Sequence, residues 1–351
     1  MNNMIQVGIV GYGVIGKRVA EAIKSQPDMA LAGVADVAAD WRILGAVTQQ
    51  IPLYAADASA SQRMREAGFH LSGSLDDLLG ISDIVVDCTP KRVGASNAER
   101  YRAAGKAFIL HGGEKHEVTG HSFVAEANYA SAVGRPATRV VSCNTTSIVR
   151  TLGALKRAGL LKRARGTLLR RATDPWESHL GGIMNTVLPE PSIPSHQGPD
   201  ARSVDPDLDV VTMAVAVPTT IAHVHYWAVD MTRSASKEEV LEIFSRSSRI
   251  ALIKGSTGLT APNVVKELMA DSGRPHDSLY EVGLWSDMLH VEGAELFYAY
   301  MVDNQAIVIP ETIDAIRALG TSGVPASESM AMTDASLGVG APFASKKWPL
   351  S

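Results

Sequence analysis

Ile5-Gln6-Val7-Gly8-Ile9-Val10-Gly11-Tyr12-Gly13-Val14-Ile15-Gly16-Lys17-Arg18-Val19 decides how the first part of the chain is read. A short run rich in β-branched residues is followed at once by a Gly-x-Gly-x-x-Gly turn and then by helical spacing over Val14–Ser25. In that strand–turn–helix context the three glycines have separate tasks. Gly11 permits the tight turn, Gly13 lets the backbone approach a pyrophosphate, and Gly16 lets the helix pack on the strand. The helix start, at Val14 and Ile15, offers free N–H groups to an anion. Asp36 lies 20 residues beyond Gly16, at the end of a second β-rich run, Leu31–Ala35. A carboxylate there accepts hydrogen bonds from the ribose hydroxyls of NAD and repels the 2′-phosphate of NADP. Ala35, Val37, Ala38 and Ala39 offer that phosphate no side-chain donor, and Arg42 is the one nearby cation.

The pattern continues outward. Ile84–Asp87, Phe108–Leu110 and Val140–Ser142 read as further strands. Leu75–Leu79, Ala95–Ala104 and Phe123–Val133 read as helices between them, while Trp41–Gly73 is only partly assignable. Strands alternating with helices imply a doubly wound parallel sheet, a Rossmann domain over 1–139. Beyond it come a helix near Ser147–Ala158 and long β runs at Arg165–Ala172, Val210–Val217, His223–Asp230 and Glu295–Val302. These predict an α+β domain over 140–305 with a mainly antiparallel sheet. A proline-rich segment, Thr173–Pro206, interrupts it, and loops of that length are usually functional or at interfaces. Pro310–Leu319 reads as one more helix within a terminal segment, 306–351, whose Ser-, Ala- and Gly-rich tail after Gly320 offers little to order it.

The 351 residues fit roughly two domains. A formal net charge of −4 gives no support for a nucleic-acid partner. No apolar run is long enough for a transmembrane helix, and the N-terminus shows no signal peptide. Two cysteines make no disulfide framework. Together these readings point to the cytoplasm.

Both cysteines stand near β-run ends. Cys143, in Ser142-Cys143-Asn144-Thr145-Thr146, sits where a β run gives way to a helix, a place that lowers a thiol pKa and suits attack on a carbonyl. A buried cysteine acting as a small hydrophobe reads the same way from position alone. Cys88, in Asp87-Cys88-Thr89-Pro90, is a competitor, but the proline does not suggest an immediate helix start. A nucleophilic thiol needs a base. His223 and His225 alternate on a β run and so share one face. A His-x-His pair can also bind zinc, but no third ligand has recognisable spacing, so no metal is expected. Arg170 and Arg171 end another β run on opposite faces, so one of them can reach an anion.

The chain resembles the archaeal-type (type II) phosphorylating glyceraldehyde-3-phosphate dehydrogenases. The matching segments include Gly11–Val19, Ile84–Pro90, Gly112–Glu117, Arg139–Thr146 (RVVSCNTT), Arg170–Pro175, Pro194–Asp200, Thr212–His225 (TMAVAVPTTIAHVH) and Ile309–Leu319, in the family's order. The resemblance implies a Rossmann domain, a mixed catalytic domain and a C-terminal helix that returns to the Rossmann domain, usually in a homotetramer. It makes Cys143 the nucleophile and His223 its base. It places Gly112, Gly113, Arg171 and Asn304 about the cofactor, and Ser142, Asn144, His196 and Gln197 about the substrate or its phosphates. The implied partners are a phosphorylated aldehyde and inorganic phosphate. The chain departs from the family at Ala35-Asp36-Val37, where a Thr-Lys-Thr type suits NADP; at His196-Gln197, where two histidines are common; and over 180–184. Asp36 therefore implies NAD in preference to NADP. The rival readings are dehydrogenases of another short hydroxy-aldehyde such as erythrose 4-phosphate, semialdehyde dehydrogenases, and a non-catalytic NAD-binding sensor. The pairing of SCNTT with PTTxxHxH argues against the semialdehyde enzymes, and the presence of both Cys143 and His223 argues against the sensor.

Overall fold

The computed structural model describes residues 4–111, 113–175, 187–320 and 323–343. The chain divides into two compact units, Met1–Ser142 with Ile309–Leu337 and Cys143–Val308 with Gly338–Ser351. The division after Ser142 lies three residues beyond the one read from the sequence, and Gly338 onward groups with the second unit.

In the first unit β1 (Ile5–Val10), β2 (Met29–Asp36), β3 (Leu53–Ala55), β4 (Gly73–Ser74), β5 (Ile84–Asp87), β6 (Ala107–His111), β7 (Ser122–Phe123) and β8 (Ala137–Val140) form one sheet. Their order is β4-β3-β2-β1-β5-β6-β8-β7, with every ladder parallel. All four residues of β5 are buried, as a sheet covered on both faces requires. The chain order reverses at β1, so the Gly11 turn emerges at the switch point where doubly wound sheets bind ligands. The stretch left partly unassigned supplies a short turn of helix at Trp41–Ile43, the helices Leu44–Thr48 and Ala58–Glu66, and the edge strands β3 and β4.

Two expectations are corrected here. The sequence places a strand over Val140–Ser142, but β8 spans Ala137–Val140. Thr138 and Arg139 look like surface residues, yet both are buried. Thr138 meets the His121 ring at 2.7 Å, and Arg139 donates to Ser122 Oγ and the Glu114 carbonyl. The tail is also more ordered than its composition suggests, with a helix over Ala326–Leu337. Polar groups anchor it. Asp314 accepts from Ser329 Oγ and Thr333 Oγ1, both at 2.7 Å. The fully buried Arg317 donates to Thr333 Oγ1 at 2.6 Å and to both carboxylate oxygens of Asp28 at 2.7 and 2.9 Å. The helix before it, Val308–Gly320, is tied back by Glu311, whose carboxylate accepts the Ala125 N–H at 2.6 Å.

The second unit is built on β9 (Leu161–Arg171), β10 (Leu188–Pro189), β11 (Val210–Val217), β12 (His223–Met231), β13 (Ile250–Ile253), β14 (Val282–Trp285), β15 (His290–Glu292) and β16 (Glu295–Val302). The order is β10-β11-β9-β12-β16-β14-β13, with β15 on β16. Only β9–β11 and β13–β14 are parallel, so the sheet is mixed and mainly antiparallel. Burial alternates along β12 and turns His223, His225, Trp227, Val229 and Met231 to one side. The helix Cys143–Arg157 packs against β9, β14 and β16, and begins four residues before the sequence pattern suggests. No described helix is long and apolar enough to cross a membrane.

Arg317→Met tests the polar anchor. It removes the guanidinium that stands 3.8 Å from the Asp314 carboxylate, which has no exposed surface, and that donates to Asp28. Removing one partner of such a buried network costs about 3–5 kcal/mol, read as a lower urea midpoint by circular dichroism. A loss under about 1 kcal/mol would show that apolar packing alone holds the terminal helices.

Candidate active site

The glycine turn at β1 has the geometry of an anion cradle. Gly11 has φ +90°, and a Cβ there would lie 3.0 Å from the Cys88 backbone carbon. At Gly16 a Cβ would run into the Gly11 carbonyl oxygen, so both positions need glycine. Gly13 differs, because its Cβ direction opens onto space with nothing within 4 Å. The helix Val14–Lys24 that follows has no side-chain cap and no acidic residue in its first turn. Its leading N–H groups are therefore free for a pyrophosphate. Asp36 ends β2 with each carboxylate oxygen fixed: Oδ2 accepts the Tyr12 N–H at 2.6 Å and Oδ1 the Ala38 N–H at 2.7 Å. The spare lone pairs remain for ribose hydroxyls. Arg42 is gripped by Asp40 through contacts of 2.6 to 3.2 Å, while Asp36 acts on it through charge alone. Lys17 lies over the rings of Tyr12 and Trp41 and within electrostatic reach of Asp36. Gly113 sits in a turn against Lys91, and Gly112 lies outside the described residues. The residues present fit a dinucleotide.

Cys143 is the first residue of the long helix of the second unit and is half-buried. The expectation of a lowered pKa is not met: burial pushes the thiol up to about 11. Arg171, the Asn144 backbone N–H and Arg170 pull the other way, and Asp303 adds to the rise. Desolvation of a single charge outweighs these partial compensations. Burial and the Asp87 carboxylate raise the Cys88 thiol as well.

His223 stands on β12 with its Nδ1 accepting the Arg171 backbone N–H at 3.0 Å. The proton of the neutral ring is therefore on Nε2. Burial, aided by His225, Arg171 and Arg170, holds its pKa well below the usual value, so the ring is neutral. Acting as the base implied above then needs a change at the ring. Nε2 is set as a donor, and taking a proton there requires the ring to give up its bond to Arg171. Arg171 thus links the two groups, with its charge acting on Cys143 and its backbone holding His223. Its guanidinium reaches Asp174 at 3.1 Å, while Arg170 pairs with Glu190 at 2.9 Å.

Around the thiol helix several buried polar atoms have no partner. They are both amide atoms of the fully buried Gln197, Thr146 Oγ1, the Nε atoms of Arg170 and Arg171, and Asn304 Oδ1. Such atoms cost free energy unless a ligand or water meets them, and they mark where polar ligand atoms belong. His196 differs from its neighbour Gln197: it is exposed and leans on Glu190 at 2.9 Å. Ser142 ends the first unit, half-buried. Residues 180–184 lie outside the described residues.

The sequence reading missed Tyr300 and Asp200. Tyr300 is the cross-strand partner of His225, and its hydroxyl lies 2.9 Å from His225 Nδ1. Asp200 accepts from Thr145 Oγ1 at 2.7 Å. Neither is signalled by its neighbours in sequence; the register of β12 on β16 is what places Tyr300. Among the described residues no group of three His, Cys, Asp or Glu is placed to hold a metal ion.

Residues 142–277 match the family model for the C-terminal domain of glyceraldehyde 3-phosphate dehydrogenase, and residues 5–117 match that for the N-terminus of dihydrodipicolinate reductase. The glyceraldehyde-3-phosphate dehydrogenase of Metallosphaera sedula is 43% identical, covering 96% of this chain and 98% of its own length. Those of Haloarcula marismortui and Methanobrevibacter smithii are 42% and 38% identical, each covering 96% of this chain and 95% and 100% of their own lengths. With the open glycine cradle in its first unit, the protein uses a nicotinamide dinucleotide. Cys143, the two β12 histidines and near-complete coverage by these relatives place the chain in the glyceraldehyde-3-phosphate dehydrogenase family.

Proposed function

We propose that this protein oxidises glyceraldehyde 3-phosphate to 1,3-bisphosphoglycerate, with NAD as the preferred cofactor and inorganic phosphate as the acyl acceptor. The observation that carries the reading is Cys143 at the first turn of a buried helix, with Arg171 acting on both it and His223.

The thiol first gives its proton to solvent, and the helix N-terminus and Arg171 favour the thiolate once it forms. The thiolate adds to the aldehyde carbon, and the carbonyl π-electrons move to oxygen, giving a thiohemiacetal alkoxide on Cys143. No proton transfer to this oxygen is needed. The Nε2–H of His223 serves it as a hydrogen-bond donor, a form of stabilisation that strengthens as charge develops. The bound nicotinamide supplies the acceptor for the hydride that leaves this carbon. The alkoxide collapses to a thioester, phosphate attacks the acyl carbon, and the Cys143 thiolate leaves.

Gly11, Gly13, Val14, Ile15 and Gly16 hold the cofactor pyrophosphate and Asp36 its ribose, with Gly112, Gly113, Arg171 and Asn304 on the nicotinamide side. Gln197, Asn144, Ser142 and His196 serve the substrate and phosphate, a role supported by the unpaired amide of Gln197. The protein works in the cytoplasm as a homotetramer. An exposed groove lined by Met213, Tyr226, Met288 and Phe297 supports assembly with further copies.

NADH formation at 340 nm from glyceraldehyde 3-phosphate should depend on phosphate and vanish in Cys143→Ser, while NAD binding in the variant stays near that of the parent. Turnover surviving in that variant would remove Cys143 from the chemistry.

His223→Gln keeps an amide donor but no usable base. It should retain activity well above His223→Ala, which loses about 10²- to 10³-fold in kcat. Equal losses would restore the base role.

For the cofactor, kcat/KM should favour NAD over NADP by roughly tenfold to a thousandfold, about 1.4 to 4 kcal/mol. Asp36→Ala should narrow that gap. A parent that uses NADP equally well sinks the assignment.

A further inference from the structure

We infer that His225 and Tyr300 are positioning residues that fix which end of the Asn144 amide faces the reacting centre. The inference rests on the aldehyde-oxidation reading above. The three side chains form a buried line: Tyr300 Oη to His225 Nδ1 is 2.9 Å, and His225 Nε2 to Asn144 Oδ1 is 2.9 Å. His225 and Tyr300 have no exposed surface and Asn144 has 5%.

The polarity of the line follows from donor and acceptor capacities. An amide oxygen only accepts, so His225 Nε2 carries the proton. Burial pushes the His225 pKa down to about 3, so the ring has one proton only and Nδ1 must accept. Its donor is the Tyr300 hydroxyl. Of the other groups near that hydroxyl, Ser147 Oγ is farther at 3.3 Å and itself donates to the Asn144 carbonyl at 2.8 Å, and Trp227 and Thr151 also lie within its reach. With Oδ1 occupied, Asn144 has its two amide hydrogens left, and Nδ2 makes no hydrogen bond to a described residue. Asn144 directly follows Cys143 in the first turn of the helix. Donors are then what this side chain offers an aldehyde oxygen gaining negative charge at Cys143. The inverted amide would present an oxygen and repel it.

A double-mutant cycle separates this role from a merely structural one. Asn144→Ala should lower kcat about 10²-fold. Tyr300→Phe keeps the ring and removes one hydroxyl. It should lower kcat about tenfold in the parent, with KM for the cofactor unchanged, and less than about twofold in the Asn144→Ala background. Equal losses in both backgrounds, or no loss in the parent, overturn the inference. A second readout needs no substrate. The ring nitrogen spectrum, assigned with His225→Gln, should show His225 as the Nε2–H tautomer unchanged from pH 5 to 9. An Nδ1–H tautomer overturns the positioning role even if glyceraldehyde 3-phosphate is oxidised. A parent inert toward glyceraldehyde 3-phosphate with the Nε2–H tautomer intact instead overturns the reading of the reaction.

Discussion

The helix Cys143–Arg157 begins inside the second unit, and its first turn has to be satisfied there. Helix starts leave N–H groups without partners, and water normally meets them. Here Asn144, Thr145, Thr146 and Ser147 are all buried. Thr145 turns to Asp200, Ser147 to the Asn144 carbonyl, and one turn further on Thr151 to the Ser147 carbonyl. Deeper along the helix Arg150 donates to the carbonyls of Tyr280 and Ile307 at 2.7 and 3.2 Å. A helix held so firmly on most sides fixes its first residue, and the first residue is the thiol. What the surroundings do not satisfy is confined to a few atoms, Thr146 Oγ1 and the Gln197 amide among them. A polar ligand has those atoms to meet, so the packing of one helix sets both the position of the thiol and the chemistry of its neighbourhood.

The resting electrostatics follow from the same burial. Desolvation raises the thiol and lowers both β12 histidines, so the thiol and both imidazoles rest neutral. A thiolate–imidazolium pair would need two charges in that environment. The neutral state avoids exposing a permanent thiolate to oxidation and alkylation, since the thiolate is the reactive form. When the thiol loses its proton, the fixed groups that favour the charge are Arg171, Arg170 and the N–H of Asn144 in the first turn of the helix.

The legibility of the fold differs between the two units for a physical reason. In the first, strand, glycine turn, helix and acidic residue lie within one short stretch, so local sequence specifies them. The exact span of β8 was hidden because Thr138 and Arg139 are polar and buried. The helix Ala326–Leu337 was hidden because its holding contacts run from Ser329 and Thr333 to Asp314 and Arg317. Hydrophobic spacing carries no trace of such anchors. In the second unit the two histidines could be seen to share a face from their alternation, but their different tasks could not. Those depend on the Arg171 N–H against one ring and Tyr300 against the other, both supplied by neighbouring strands. The thiol pKa is equally non-local, since it balances desolvation against charges from β9.

The loop after β2 shows that the sign of a binding site is set by pairing more than by counting. Lys17, Asp36, Asp40 and Arg42 sum to no net charge. Arg42 is spent on Asp40 in a forked contact, although an exposed pair of this kind holds little energy. Its effect is directional, because a guanidinium fixed on one carboxylate is not aimed at a second anion. Asp36 is held by two backbone N–H groups, which fix its carboxylate without cancelling its charge. Lys17 is the remaining cation, and it rests over two aromatic rings rather than in contact with Asp36. A neutral diol can accept this arrangement by donating to the carboxylate. A phosphate in the same place would have to bring Arg42 away from Asp40 or Lys17 away from Tyr12 and Trp41, and either move breaks a contact already made.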